Sequence, residues 1–470
     1  MSEIKHSNVI ETDAFRDRIA TVDESGKRKW IYAYQPKGRF YNIRSVLSVF
    51  YFLIFFGLPF VQINERPLFL FNIPEAKFIL FGKIFWPQDF FIFGLTMVTF
   101  VFFIILFTAA FGRLFCGWAC PQTNFMEMMF RRVEYWILGD APAQKQLKSA
   151  PWTGKKMIKI TVKHLLFFLL SFTIANFFLA YIIGINELEK IITEPVTQHV
   201  VGFASILVFS AVFYGVYAFF REQACTVVCP YGRLQSVLLD KNSMIVAYDY
   251  KRGEPRGNFK KQASSSLGDC IDCHLCVKVC PTGIDIRNGV QMECVGCTAC
   301  IDACDHVMDS IGKPKGLIRY ASENSIAKGE PLRYTVRMKL YTGLCFLLLA
   351  LLSVILMTRK DIDATVIRTA GMLYQERGKD SLSNLYNIKL INKTTKDIAV
   401  KVVLKDQQGT ILMAGKPVIE IKKEGQASGT FFIILPKSAV KQRKTMLKLA
   451  LYTNGEELVT SKTNFLGPAL

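Results

Sequence analysis

The chain of 470 residues is 51% hydrophobic, holds 38 Phe and carries a formal net charge of +20. Basicity of this size suits a nucleic-acid binder, but here it accompanies long apolar runs. That combination excludes a nucleic-acid partner as the first reading and points to a lipid bilayer.

Residues 1–44 are polar, hold nine Lys or Arg and lack the short apolar core and small-residue cleavage site of a secretory signal. They are expected to form a cytoplasmic segment. Runs long enough to cross a bilayer follow at Ser45 to Asn64, Phe90 to Gly112, His164 to Asn186, Pro195 to Phe220 and Leu340 to Thr358. The first four lie within a membrane part set at 45–260, and the fifth is set at 340–358. Buried core helices would also be apolar, but Lys or Arg flanks most of these runs. Residues 65–89, between the first two runs, are semi-apolar and suit a hairpin on the outer interface. The basic residues in the segments before the fifth span number nine, three, nine, one and seventeen in chain order. That alternation predicts an N-terminus inside and, after five crossings, a C-terminus outside.

The second run ends in Cys116-Gly-Trp-Ala-Cys120-Pro121, and the fourth ends in Cys225-Thr-Val-Val-Cys229-Pro230, 109 residues later. Cysteines at i and i+4 share a helix face, and the following proline ends that helix or starts the next. Lone Cys345 in the fifth run reads as small apolar filler. The same C-x3-C-P at the same topological position twice is harder to assign to packing. In a reducing compartment the four thiols stay free for a soft metal such as Cu(I), or for a dithiol couple.

Residues 261–339 contain CIDCHLCVKVCP and CVGCTACIDAC, two successive C-x2-C-x2-C-x3-C runs. This is the spacing of bacterial two-cluster ferredoxins, in which the fourth cysteine of each run serves the other cluster. Cluster 1 is therefore expected to use Cys270, Cys273, Cys276 and Cys304, and cluster 2 Cys280, Cys294, Cys297 and Cys300. A zinc ribbon needs four ligands in two pairs, and a disulfide framework needs an oxidising compartment, so two 4Fe-4S clusters fit better. Asp305 stands where a proline usually follows the second run. His274 and His306 flank the ligands and read as surface polar residues. A membrane haem is not expected, because His164 and His199, the two histidines within the spans, lie at opposite ends. There is no G-x-G-x-x-G or Walker motif, so electrons must come from outside the chain.

Residues 359–470 contain neither Cys nor His. Apolar residues alternate at Tyr386, Ile388, Leu390, at Ile398, Val400, Val402, Leu404 and at Leu447, Leu449, Leu451, with turn signals at 406–409 and 453–456. Six or seven short strands in an immunoglobulin-like β-sandwich are expected, placed in the periplasm and contacting a partner protein or capping the membrane part. The fold class is thus a multi-domain membrane protein: a five-helix transmembrane part, an inserted two-cluster ferredoxin module and an all-β sandwich.

The paired cluster runs after a fourth span, the doubled C-x3-C-P and the β-rich domain after a fifth span together resemble the cytochrome c oxidase accessory family CcoG, also called FixG or RdxA, over essentially the full length. The resemblance implies a bacterial inner-membrane protein that helps to build a cbb-type haem-copper oxidase. It also implies cupric reductase activity, with copper as substrate and Cu(I) passed to a copper-exporting P-type ATPase. Cys116, Cys120, Cys225 and Cys229 are then the copper-facing thiols. The electron donor and the oligomeric state, a homodimer included, stay open. Two other readings compete. The C-x3-C-P pairs also resemble NapH/NosR-type proteins that pass electrons from quinol without copper chemistry, although the C-terminal domain argues against these. The other is an assembly scaffold with structural clusters.

Overall fold

The computed structural model describes residues 20–468 apart from 24, 64–65, 75–76, 87–88, 258–266, 332, 360, 370, 372, 379, 395, 406, 441 and 454. Residues 1–19 and 24 of the expected N-terminal segment, the start of the cluster module at 261–266 and one residue in each turn signal, Asp406 and Asn454, therefore lie outside the described residues. The chain divides into two compact units, Met1–Leu352 and Ser353–Leu470.

Five helices in the first unit and at its boundary are long and apolar enough to cross a membrane: Arg39–Phe60, Phe90–Phe111, Gly154–Ile183, Val200–Phe220 and Val336–Met357. Several differ in extent from the apolar runs. The first starts at Arg39 rather than Ser45, and the third at Gly154, ten residues before His164. Thr153 caps that third helix by accepting from Lys156 N at 3.4 Å. Its first turns carry four lysines, which favour helix: Lys155 and Lys159 are exposed, whereas Lys156 and Lys163 are buried, Lys163 paired with Glu134 at 3.2 Å. Hydropathy marks the lipid-compatible length, whereas backbone hydrogen bonding runs on past it. The fourth starts at Val200, because 195–199 form a turn around Pro195.

An aromatic core ties the first, third and fourth spans together. Phe125, Phe130, Phe167, Ile174 and Tyr217 are buried, with Phe52, Phe55 and Phe56 packed against them. Phe130 stacks on Tyr217 at 4.3 Å. Three stretches near the C-x3-C-P motifs are π-helical: Phe125–Phe130, Val216–Phe220 and Ala224–Val228. Such widened turns often accompany functional sites. Between the first two spans lies a three-stranded antiparallel sheet of Phe69–Asn72, Lys77–Leu80 and Lys83–Phe85. It is built around buried Leu70, Ile79 and Ile84, one strand more than a hairpin. The cluster module rests on a two-stranded ribbon, Ile245–Tyr248 with Ile318–Ala321.

The second unit is an immunoglobulin-like sandwich of two antiparallel sheets. One orders Thr410–Met413, Gln426–Pro436, Ser381–Asn392 and Ile362–Arg368, with Gln375–Arg377 also on Ser381–Asn392. The other orders Ile419–Ile421, Ile398–Leu404, Lys444–Thr453 and Glu456–Leu466. Nine strands are thus seen among the described residues where six or seven were expected. The surplus comes from strands of three or four residues, too short to show an alternating pattern. Tyr386, Ile388, Leu390, Val400, Leu447, Leu449 and Leu451 are all buried in one core shared by both sheets.

Candidate metal centres

Each cluster run coils by the same device. Between its first three cysteines, Asp272 (φ 54°) and His274 (φ 57°) take left-handed backbone conformations, and Gly296 (φ 67°) and Thr298 (φ 63°) do so at equivalent places in the second run. Two reversals in five residues turn three thiols toward a common centre. Cys270, Cys273, Cys276 and Cys304 line one hollow, walled by Tyr248, Leu275, Met308 and Ile318. Cys280, Cys294, Cys297 and Cys300 line a second, walled by Val246, Ile284, Ile286 and Val295, with Cys276 between the two. Among the described residues no three His, Cys, Asp or Glu side chains converge tightly enough for a single metal ion. The thiols ring hollows instead, and this soft all-sulfur donor set in apolar walls suits cubanes better than zinc. Burial pushes Cys276 and Cys304 up to about 12 and Cys297 up to about 11. A metal is therefore needed to hold these groups as thiolates at neutral pH. Cys273 is the exposed member of the eight.

The C-x3-C-P motifs depart from the expected continuous helix. Both spans end on the same rare bend, at Gly112 (φ 57°, ψ −126°) and at Arg221 (φ 51°, ψ −122°). Cys116 and Cys225 lie four residues further on, in the short helical turns Leu114–Trp118 and Ala224–Val228. Cys120 (φ −63°, ψ 127°) and Cys229 (φ −68°, ψ 113°) are extended N-caps, each followed by proline in the first turn of the next helix. Each second cysteine thus occupies an elbow, because proline cannot continue the preceding turn.

The two motifs clasp each other. Cys116 Sγ–H donates to Gln235 Oε1 at 3.3 Å, on the helix after the second motif. The Thr123 side chain, on the helix after the first motif, hydrogen-bonds Cys225. Cys116 lies within electrostatic reach of Cys120 and Cys229, and Cys225 within reach of all three. Burial pushes Cys116 up to about 11 and Cys225 up to about 12. This group abuts the second hollow: a Cβ on Gly117 would lie 2.4 Å from Gly296 O, and Cys225 shares a pocket with Pro281, Thr282 and Val295.

Residues 220–323 match the family described as "4Fe-4S dicluster domain", residues 93–139 match "4Fe-4S binding domain", and residues 352–468 match the "IG-like fold at C-terminal of FixG". Protein RdxA of Cereibacter sphaeroides is 36% identical over 70% of this chain and 71% of its own length. Protein RdxB of the same organism is 32% identical over 78% and 80%. The chain belongs to the FixG/RdxA family. Nitrogen fixation protein FixG of Rhizobium meliloti is 35% identical, over 64% of this chain and 59% of its own length.

As a FixG/RdxA-family member with iron–sulfur domains and five membrane-length helices, this is a membrane-associated iron–sulfur electron-transfer protein. The arrangement carries residues that cysteine spacing alone does not reveal. Arg44 Nη1 donates to Cys297 O at 2.8 Å and its Nε to Gly117 O at 3.0 Å. Arg113 Nη1 donates to Cys294 O at 3.0 Å and also to Met292 O, and its Nη2 to Gly232 O at 3.1 Å. Arg221 pairs with buried Glu134 at 2.8 Å. The one sequence signal for Arg113 and Arg221 is an arginine just before each C-x3-C-P motif; Arg44 has none. His274 Nδ1 sits 2.7 Å from Arg287 Nη2, His306 is exposed, and Cys345 is buried in the fifth span.

Proposed function

We propose that this protein reduces Cu(II) to Cu(I) at the cytoplasmic face of a bacterial inner membrane and so supplies copper for assembly of a cbb-type oxidase, through a copper-exporting P-type ATPase. The N-terminus and the cluster module lie inside and the sandwich in the periplasm, as the charge alternation requires. The observation that carries the reading is the placement of Cys116, Cys120, Cys225 and Cys229 in one neighbourhood, pressed against the loop that holds Cys294 and Cys297. When bound, the two clusters supply one-electron carriers, one through Cys270, Cys273, Cys276 and Cys304 and one through Cys280, Cys294, Cys297 and Cys300.

The electron originates with a reductant outside the chain and converts one Cu(II) to one Cu(I). Thiols are the side chains suited to the product: Cu(II) prefers nitrogen and oxygen, whereas Cu(I) prefers sulfur, so a thiol landing site favours the reduced ion. Cys116 and Cys225 are held protonated by burial, and each proton leaves as sulfur takes the metal. The family's C-terminal domain favours this reading over a NapH/NosR-type relay. Replacing Cys225 and Cys229 together by serine tests it. The variant should keep about eight iron atoms per chain, from two four-iron clusters, while cupric reduction falls to the level of cluster-free protein. Wild-type reduction with full iron content would make these thiols structural.

A further inference from the structure

Arg44 and Arg113 are 4% and 8% exposed, and neither meets a carboxylate at ion-pair distance among the described residues. Arg44 Nη2 and Arg113 Nε are also buried without a hydrogen-bond partner among the described residues. A buried cation with no counter-charge is strongly disfavoured. The groups these guanidiniums do touch point to one counter-charge: the carbonyls of Cys297 and Cys294, both lining the second hollow. A cubane held by four thiolates is anionic and gains a further negative charge on reduction. The first hollow is built differently. There the cation in the lining, Arg287, pairs with Asp285 at 2.6 Å and with Asp272, so it is neutralised by carboxylates.

We propose that Arg44 and Arg113 are positioning residues that bias the electron toward the cluster at Cys280, Cys294, Cys297 and Cys300, the one beside the membrane thiols, by raising its reduction potential above that of the cluster at Cys270, Cys273, Cys276 and Cys304. A positive charge with no carboxylate at ion-pair distance stabilises the reduced, more negative state of the nearer cluster, and the low dielectric of the site keeps that interaction strong. Both arginines also clamp the motifs to this loop, through Gly117 O and Gly232 O. One pair of side chains therefore fixes the separation between cluster and thiols and sets the direction of transfer. The inference rests on the cluster ligation and is independent of the copper reading.

The test is an EPR-monitored redox titration of full-length protein in detergent, without copper, on Arg44→Gln, Arg113→Gln and the corresponding lysine variants. The signal lost in Cys273→Ala identifies the distal cluster. At a fixed poise, each glutamine variant should lower the reduced-to-oxidised ratio of the proximal cluster by about tenfold or more, with the distal cluster unmoved and lysine restoring most of the ratio. Loss of the proximal cluster's iron alone in the glutamine variant, with retention in the lysine variant, would equally support the counter-charge role. Equal shifts at both clusters, no shift at full iron content, or a lysine variant indistinguishable from glutamine would overturn it.

Discussion

The two C-x3-C-P repeats make the same bend with opposite means. At the end of the second span Gly112 takes it, and a Cβ there would lie 2.3 Å from Met244 O. At the end of the fourth, 109 residues later, Arg221 takes it at φ 51°, a conformation a non-glycine residue adopts only when its surroundings hold it there. What holds it is charge: Arg221 pairs with Glu134 at 2.8 Å, Glu134 with Lys163 at 3.2 Å, and Arg131 reaches Glu222 at 3.6 Å. The first repeat is thus fixed by close packing and the second by a buried ion network. The thiols come out equivalently placed, so the elbow is the shared requirement and its means of support is free to differ.

The largest effect should follow from making the second repeat like the first. Arg221→Gly relieves the bend, a gain of about 1 kcal/mol, but strips Glu134 of its closest cation, a loss of about 3–5 kcal/mol. Net destabilisation is expected in detergent unfolding, partly recovered by adding Glu134→Gln. A stabilised single variant would show that the network does not support the bend. The reverse exchange, Gly112→Ala, combines positive φ with overlap on a backbone carbonyl and should cost about 2–3 kcal/mol. An unshifted unfolding midpoint would show that close packing does not fix the first repeat.

The buried first cysteine of each repeat gives a pH signature. Burial holds Cys116 near 11 and Cys225 near 12, so both are protonated across the neutral range. Apparent Cu(I) affinity, measured by chelator competition at pH 6, 7 and 8, should rise by about tenfold per pH unit for each proton displaced. A flat profile would mean that these thiols are not the ligands. The smallest effect belongs to the clasp. Gln235→Leu removes the acceptor at Cys116 and should cost about 1 kcal/mol, with both clusters retained in the visible spectrum.

What could be read in the sequence follows from how local each determinant is. The cluster thiols are legible because a cubane imposes its spacing on a few consecutive residues, and the sandwich core because Tyr386, Ile388 and Leu390 alternate along a single long strand. Helix ends were not legible where lysines carry the third span back to Gly154, nor were edge strands such as Ile419–Ile421, too short to show a period. Arg44 was invisible for a different reason. In sequence it is one more basic residue near the end of a span, and its meaning comes from Cys297 O, 253 positions away.

The most direct measurement mixes anaerobically reduced protein with Cu(II) and follows both species by EPR. The Cu(II) signal should disappear as the clusters reoxidise, about two coppers per chain for two one-electron clusters, and the Cys225→Ser, Cys229→Ser variant should retain reduced clusters and unreacted Cu(II). Clusters that stay reduced beside persistent Cu(II) in the wild-type protein would contradict the proposed copper reduction.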